Sequence, residues 1–349
     1  MKNNFWEKLK KSNKLIYALA PMAGITDSAF RQICKEFGAD VVYSEMASAT
    51  ALAYNPKKTL EMLQSSKKEA PYIIQLFGNN PKHFEIATKL ITKKKLISDI
   101  RSPISEVRNG IDINFGCPVK KVIKQGAGAA LMQDLKLSKE VIKSVLNNTD
   151  LPISIKLRGK SGNIDCLQFL NYMKDLPISA VMIHGRTFAQ GFSGPVDTEI
   201  IKKARNYFNG IILANGGVGT LTPSHSPQNA LRERGVKEYA ECLLKETGAD
   251  GIGIARGALG KPWIFSEVRS KKLEVRNYLI LKILETEHGP IKINKYKTGE
   301  LFLHDDKLAV QCGKDALIIK KLQLAGKKEM NAEEFLRGNK NFVGSILKL

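Results

Sequence analysis

Negative charge is in short supply in this 349-residue chain: 34 Asp and Glu stand against 55 Lys and Arg, leaving a formal charge of +21. A deficit that large favours a polyanionic partner, because cations that neutralise phosphates release counterions and gain sequence-independent affinity. Charge alone does not separate RNA from DNA. Cysteine is sparse as well. Its five copies, Cys34, Cys117, Cys166, Cys242 and Cys312, are odd in number, scattered and free of CxxC spacing. This argues against a disulfide framework and a structural zinc site, and no metal is expected. No apolar run approaches the ~18 residues of a membrane-spanning helix, so no membrane partner is expected. Met1–Leu15 is lysine-rich but lacks an apolar segment and cleavage site, which reads as a cytoplasmic protein.

What is present is an alternation. Eight short apolar runs recur: Ile16–Pro21, Val41–Glu45, Tyr72–Phe77, Ile111–Phe115, Ile153–Leu157, Ala180–Ile183, Ile211–Ala214 and Gly251–Ile254. Most are continuously apolar, the pattern of parallel strands covered on both faces. Helix-like segments lie between them. Asp27–Phe37 starts at a capping Thr26 or Asp27 and stops at Gly38; Pro81–Lys93 carries an apolar stripe at Phe84, Ala87, Leu90 and Ile91; Ser138–Asn147 opens on Ser138 as its cap; Val236–Thr247 stops before Gly248. Strand then helix, eight times, predicts an α/β protein built on a (β/α)8 TIM barrel, whose site lies at the carboxyl ends of the strands.

Those strand ends carry the chemistry. Ile111–Phe115 stops in Gly116-Cys117-Pro118, where glycine frees the backbone and proline withholds the next donor. The chain therefore turns where a lone thiol stands, a position suited to facing a ligand. The other ends are Pro21-Met22-Ala23, Gln75, Lys156, His184 with Arg186, Asn215-Gly216-Gly217 and Ala255-Arg256. The last two are glycine-rich loops after the seventh and eighth strands, the usual phosphate corner of this fold, and Arg256 adds a charged fork. Lys156 and His184 end buried strands, where charge is costly unless something anionic compensates. A reduced flavin ring would do so.

Two stretches, Lys93–Arg108 and Thr220–Arg234, read as surface insertions without a motif. After Phe265 the pattern changes. Ser266–Leu284 reads as helical turns leading out of the barrel, followed by short strands at Ile291–Tyr296, Leu301–Leu303, Lys307–Gln311 and Ala316–Leu324, then a helix Ala332–Leu336 capped by Asn331. The division expected is a barrel at 1–272, a linker at 273–290 and a small, mainly-β, OB-like barrel at 291–349.

In order along the chain, APMAGITDSAFR (Ala20–Arg31), QLFG (Gln75–Gly78), INFGCPVKKVIKQGAGAALM (Ile113–Met132), IKLR (Ile155–Arg158), IHGRT (Ile183–Thr187), ANGGV (Ala214–Val218) and GADGIGIARGALGKPWIF (Gly248–Phe265) resemble the tRNA-dihydrouridine synthase family. The resemblance implies FMN-dependent reduction of a uridine C5=C6 bond in tRNA, with NADPH or NADH as electron source. It implies hydride delivery to C6 and a proton from Cys117 to C5. It also implies FMN contacts from Pro21, Met22, Ala23, Gln75, Lys156, His184, Asn215, Gly216, Gly217, Ala255 and Arg256. Asn114 would help place the uracil, and Lys120, Lys121 and Arg186 would meet the RNA. A monomer is expected. The tail departs from the family's helical one: Leu301–Gly338, with QLAGKK at Gln323–Lys328 and EFLRG at Glu334–Gly338, resembles the C-terminal module of methionyl-tRNA formyltransferase. Other readings of the same residues are a flavin barrel acting on a small pyrimidine or enone, and an RNA-binding protein with a vestigial redox site.

Overall fold

The computed structural model describes residues 4–92, 108–219, 235–269, 281–287, 289–312, 314–324, 328–339 and 342–347. The insertion at 220–234 and nearly all of that at 93–108 fall outside them. The chain divides into two compact units, residues 1–272 and 273–349.

In the first unit the strands are β1 (Ile16–Leu19), β2 (Val41–Ser48), β3 (Tyr72–Phe77), β4 (Gly110–Asn114), β5 (Ile153–Ser161), β6 (Ile164–Asp165), β7 (Ala180–Thr187), β8 (Ile211–Asn215) and β9 (Gly251–Ile254). They pair in the order β4-β3-β2-β1-β9-β8-β7-β5, and a β4–β5 ladder closes the ring. The eight ring strands run parallel, while the two-residue β6 folds back antiparallel on β5. This is the (β/α)8 barrel expected from the alternation. Its apolar residues sort into two cores. Ile16, Ala18, Val41, Tyr43, Ile73, Met182 and Leu213 pack together with Trp6 from the helix Phe5–Lys11. Neighbouring residues of the same strands, such as Leu19, Val42, Ile74 and Ile183, pack with the surrounding helices, as do Ile113 of β4 and Ile155 of β5. Period-2 alternation of side chains splits β1, β2, β3, β7 and β8 between these two cores.

Local signals set most helix ends. Asp27 caps Ser28–Glu36 by accepting the Phe30 N–H, and Val236–Thr247 ends at Gly248, whose φ of +61° is the left-handed value that glycine adopts without strain. Ser138 does not cap its helix. The helix begins a turn earlier, Leu135–Leu146, capped by Asp134, and the Ser138 hydroxyl donates to the Leu131 carbonyl instead. Asp134 was overlooked because Leu135-Lys136-Leu137 blurs the start of the apolar period.

The second unit is antiparallel: β10 (Leu281–Thr286), β11 (Leu301–His304), β12 (Lys307–Cys312), β13 (Asp315–Leu324) and β14 (Glu329–Asn331), in the order β10-β13-β12-β11 with β14 also on β13. Asp305 and Asp306 make the β11–β12 turn at positive φ, the twist that matches a tight hairpin. Phe335 from the helix Ala332–Gly338 is wholly buried on this sheet with Leu301, Leu308, Ile319 and Leu322.

Three expectations are corrected here. Residues 281–286, read as helix and linker, form a strand, because the ladder to β13 buries Leu281 where isolated helical turns could not. Ile291–Tyr296 is not a strand and keeps only a single bridge, Ile291 to Ala316. Asn331 stands at the cap position, where its backbone pairs with Lys321 in the sheet, but its side chain makes no capping hydrogen bond. Among the described residues no pairing closes the five strands into the expected small barrel.

Candidate active site

Strand register brings the rim residues level with one another. Asn114 lies beside Lys156, Arg158 beside His184, His184 beside Asn215, and Asn215 beside Gly253. Their side chains open into a cavity of ≈ 310 Å³ at the carboxyl ends of the strands, within the range of small-molecule and cofactor sites (roughly 300–1,000 Å³). Pro21, Met22, Ala23, Gln75, Asn114, Cys117, Lys156, His184, Arg186, Asn215, Gly216, Gly217, Ala255 and Arg256 all line it. Lys120 and Lys121 do not; they are exposed on the short helix Lys120–Ile123 just beyond the lip. Lining residues to which motif reading gave no role include Met46, Val119, Arg158 and Phe192, although Met46 and Arg158 stood among the strand ends. Arg158 had a signal, since it ends the IKLR run one residue past the strand that was read. Phe192 sits in a loop with no motif.

Arg158 organises that loop. It is buried, and it donates to the carbonyls of Gly116 (2.8 Å), Thr187 (3.0 Å) and Gly191 (2.8 Å), tying the cysteine turn to the loop after β7. The loop presents Phe192, half exposed, with the Arg256 guanidinium 4.3 Å above its ring.

Cys117 is held by a relay of amides. Buried Asp112 accepts from Ser154 Oγ (2.6 Å) and from Gln75 Nε2 (2.7 Å). Gln75 Oε1 then accepts from Asn114 Nδ2 (2.9 Å), and Asn114 Oδ1 accepts the backbone N–H groups of Gly116 (3.0 Å) and Cys117 (2.9 Å). From behind, the Ala129 N–H donates to the Cys117 carbonyl. Gly128 (φ +62°) permits this, because a Cβ there would stand 2.8 Å from that oxygen. The GAGAA run is thus the floor under the thiol turn. Asn114, expected to help place the uracil, lines the cavity while its oxygen serves this turn and its nitrogen donates to Gln75.

Electrostatics sort the groups. Lys156, Arg158, Arg186 and Arg256 line the cavity, and among the described residues no carboxylate does. Burial, reinforced by these four cations, lowers the His184 pKa to about 2, so the ring is neutral. Arg186 can only donate at its 3.3 Å contact with His184 Nε2, which makes that nitrogen the acceptor. Burial and then Arg158 lower Lys156 to about 8, against the opposing pull of Asp112 and Cys117, while Lys156 Nζ donates to Asn215 Oδ1 at 3.1 Å. Asn215 in turn donates to the Gly253 carbonyl at 2.7 Å. Burial raises Asp112 to about 6. Burial also raises the Cys117 thiol, an effect that the Val119 N–H, Arg158 and Lys156 only partly oppose. Cys117 is therefore a protonated thiol at neutral pH.

The donor set fits an anion with a flat polar ring. Four cations line it, and Gly216 and Gly217 (φ +123° and +81°) add no side chain at the glycine-rich corner; a Cβ at Gly217 would collide with the Tyr239 hydroxyl. Fold and cavity together define a (β/α)8 barrel with a cationic pocket beside a proton-bearing sulfur.

Similarity narrows that class. The family profile described as dihydrouridine synthase (Dus) matches residues 18–300. The tRNA-dihydrouridine synthase B of Vibrio parahaemolyticus serotype O3:K6 is 33% identical over 261 residues, covering 73% of this chain and 71% of that protein. That of Pseudomonas syringae pv. tomato is 32% identical over 272 residues, covering 77% and 72%. The chain belongs to the dihydrouridine synthase family. Solved structures are more distant: histamine dehydrogenase from Rhizobium sp. 4-9 gives a TM-score of 0.49 at 12% identity, covering 73% of this chain and 45% of that one. An old yellow enzyme homologue from Zymomonas mobilis gives 0.41 at 12%, covering 75% and 89%. These two add nothing to the assignment.

Proposed function

We propose that this member of the family is an FMN-dependent tRNA-dihydrouridine synthase that reduces the C5=C6 bond of particular tRNA uridines at the expense of NADPH or NADH. The observation that carries the reading is the electropositive cavity, lined by no carboxylate among the described residues, with a protonated cysteine on its wall. FMN, when bound there, would supply the hydride for C6. Arg256 and the Gly216-Gly217 amides would hold its phosphate, while Lys156 would sit where negative charge develops on the reduced ring, supported by His184 and Gln75. Cys117 would deliver the proton to C5. A thiol protonated at neutral pH has the proton to give, and a positioned acid contributes about 10²- to 10⁴-fold. Asp112, Gln75 and Asn114 would serve that step by fixing the backbone that aims the thiol. A uridine must leave its stack to reach such a cavity, and Lys120, Lys121 and Arg186 would grip the RNA meanwhile.

The 1–272 unit would carry the chemistry and the 273–349 unit would act as a tRNA-handling module of the methionyl-tRNA formyltransferase kind, the whole working as a cytoplasmic monomer. Mapping dihydrouridine in tRNA from a deletion strain, with and without this gene product restored, tests the reading. Unchanged dihydrouridine at every position would refute it.

A further inference from the structure

The carboxyl rim continues outward from the cavity as a strip of loops and helices following β2, β3 and β4, three neighbouring strands. Tyr54 ends the helix Ala49–Tyr54 after β2 and is 77% exposed, more than any other large hydrophobic side chain among the described residues. Its ring is braced edge-on by His83 at 5.1 Å and 80°. His83 lies in the helix that follows β3 and is pinned by Thr50 Oγ1 at 3.0 Å, while Asn80 accepts the Lys82 and His83 N–H groups at that helix start. The next loop touches the same corner: the Asn79 side chain lies against Gly126, 3.0 Å from where a Cβ would stand, at the end of the segment carrying Lys120, Lys121 and Lys124. That segment begins at Val119, a half-exposed residue of the cavity wall.

Lys57, Lys58, Lys120, Lys121 and Lys124 are exposed, and none pairs with an acid among the described residues. Lys82 does pair, with Glu85 at 3.0 Å. A rigidly braced, open aromatic among unpaired lysines suits a nucleic-acid strand. Lysine is depleted from the cores of protein–protein interfaces, whereas base stacking between charged phosphate contacts is how single strands are held.

We propose that Tyr54 is a stacking platform for an unpaired base of the RNA near the target uridine, with Lys57, Lys58, Lys120, Lys121 and Lys124 on its phosphates. This rests on the tRNA reading above and names a contact within it. Stacking costs about 1–3 kcal/mol per base when the ring is removed, so the dissociation constant rises by about tenfold.

The test measures binding of an unmodified tRNA transcript to full-length flavin-loaded protein by fluorescence anisotropy over a salt series. Tyr54→Ala should raise Kd about tenfold at unchanged salt slope, since stacking releases no counterions, and Tyr54→Phe should bind as wild type does. The Lys57→Ala/Lys58→Ala double variant should instead flatten the slope of log K on log salt by about two. Flavin content and melting temperature report that each variant is folded. Wild-type affinity in Tyr54→Ala, affinity in Tyr54→Phe as weak as in Tyr54→Ala, or a change in oligomeric state without a change in Kd overturns the platform. If wild-type protein forms dihydrouridine in tRNA yet Tyr54→Ala binds equally well, the platform alone fails. If wild-type protein neither binds nor modifies tRNA, the functional reading fails with it.

Discussion

Asn114 Oδ1 accepts the backbone N–H of Cys117 at 2.9 Å, so the residue that ends the fourth barrel strand holds the thiol three residues on. Asn114→Ala leaves two N–H groups, those of Gly116 and Cys117, without this acceptor. Both bonds are part-buried, so the loss should be near the net worth of an ordinary hydrogen bond, about 1 kcal/mol. Denaturant unfolding should show a loss of that size, and iodoacetamide should label Cys117 at a changed rate. A variant as stable and as reactive as wild type would contradict the relay.

Cys117→Ala should retain flavin and tRNA but reduce uridine at least about a hundredfold more slowly, the lower end expected of a general acid. Because burial raises the thiol pKa, the acid form persists through neutrality. The chemical step should be flat from neutral to mildly alkaline pH and fall only at higher pH. A fall centred near neutrality in wild type, or unchanged turnover in the variant, would remove Cys117 from the role.

Arg256→Ala should weaken flavin retention. A charge-assisted hydrogen bond is worth about 1.5–3 kcal/mol, or at least about a tenfold rise in the FMN dissociation constant. Flavin content equal to wild type after dialysis would count against the phosphate assignment.

Lys156 gives a pH signature. Its pKa in the ligand-free fold is lowered to about 8. Between that value and the ordinary lysine range the unfolded chain binds more protons than the folded one. Stability of the flavin-free protein therefore rises with pH across this window. An anionic flavin reverses the preference by favouring the ammonium. FMN affinity should thus decline as pH rises through about 8, with proton uptake on binding there, and Lys156→Met should abolish the dependence. Titration calorimetry in two buffers of different ionisation enthalpy reads the uptake; its absence in wild type would be contrary.

Arg31 concerns stability alone. It is wholly buried, as is its partner Glu69 at 2.5 Å, and it also donates to the Thr26 and Gln64 carbonyls at 2.6 Å each. Arg31→Met strands a buried carboxylate, which costs about 3–5 kcal/mol. Urea unfolding should show it; a loss below about 1 kcal/mol would mean that the pair is dispensable.

The barrel was legible because continuous apolar runs and capping residues are local signals. So was most of the rim, because the candidate side chains lie at or near the carboxyl halves of strands and the closed sheet brings these together. What local pattern could not reveal was who bonds to whom. Asn114 lines the cavity, but its amide nitrogen bonds Gln75 on the neighbouring strand, itself anchored by Asp112, and its oxygen turns toward the backbone. Arg31 lay in a motif beside the site and proved to be a clamp under the first rim loop. Phe192 joins the cavity through long-range relations: the Arg158 bonds to its loop and the Arg256 guanidinium over its ring. The 281–286 strand was misread because its alternation is short and its partner lies some thirty residues on, in β13.

The central claim is reduction of tRNA uridine by this protein's own flavin site. The most direct measurement incubates FMN-loaded protein, NADPH and an unmodified tRNA transcript, and reads dihydrouridine by mass spectrometry. The account predicts dihydrouridine at discrete positions with wild type and almost none with Cys117→Ala that is equally loaded. A flavin-loaded, NADPH-reducible wild-type protein that leaves tRNA untouched while reducing free uridine or orotate would contradict it.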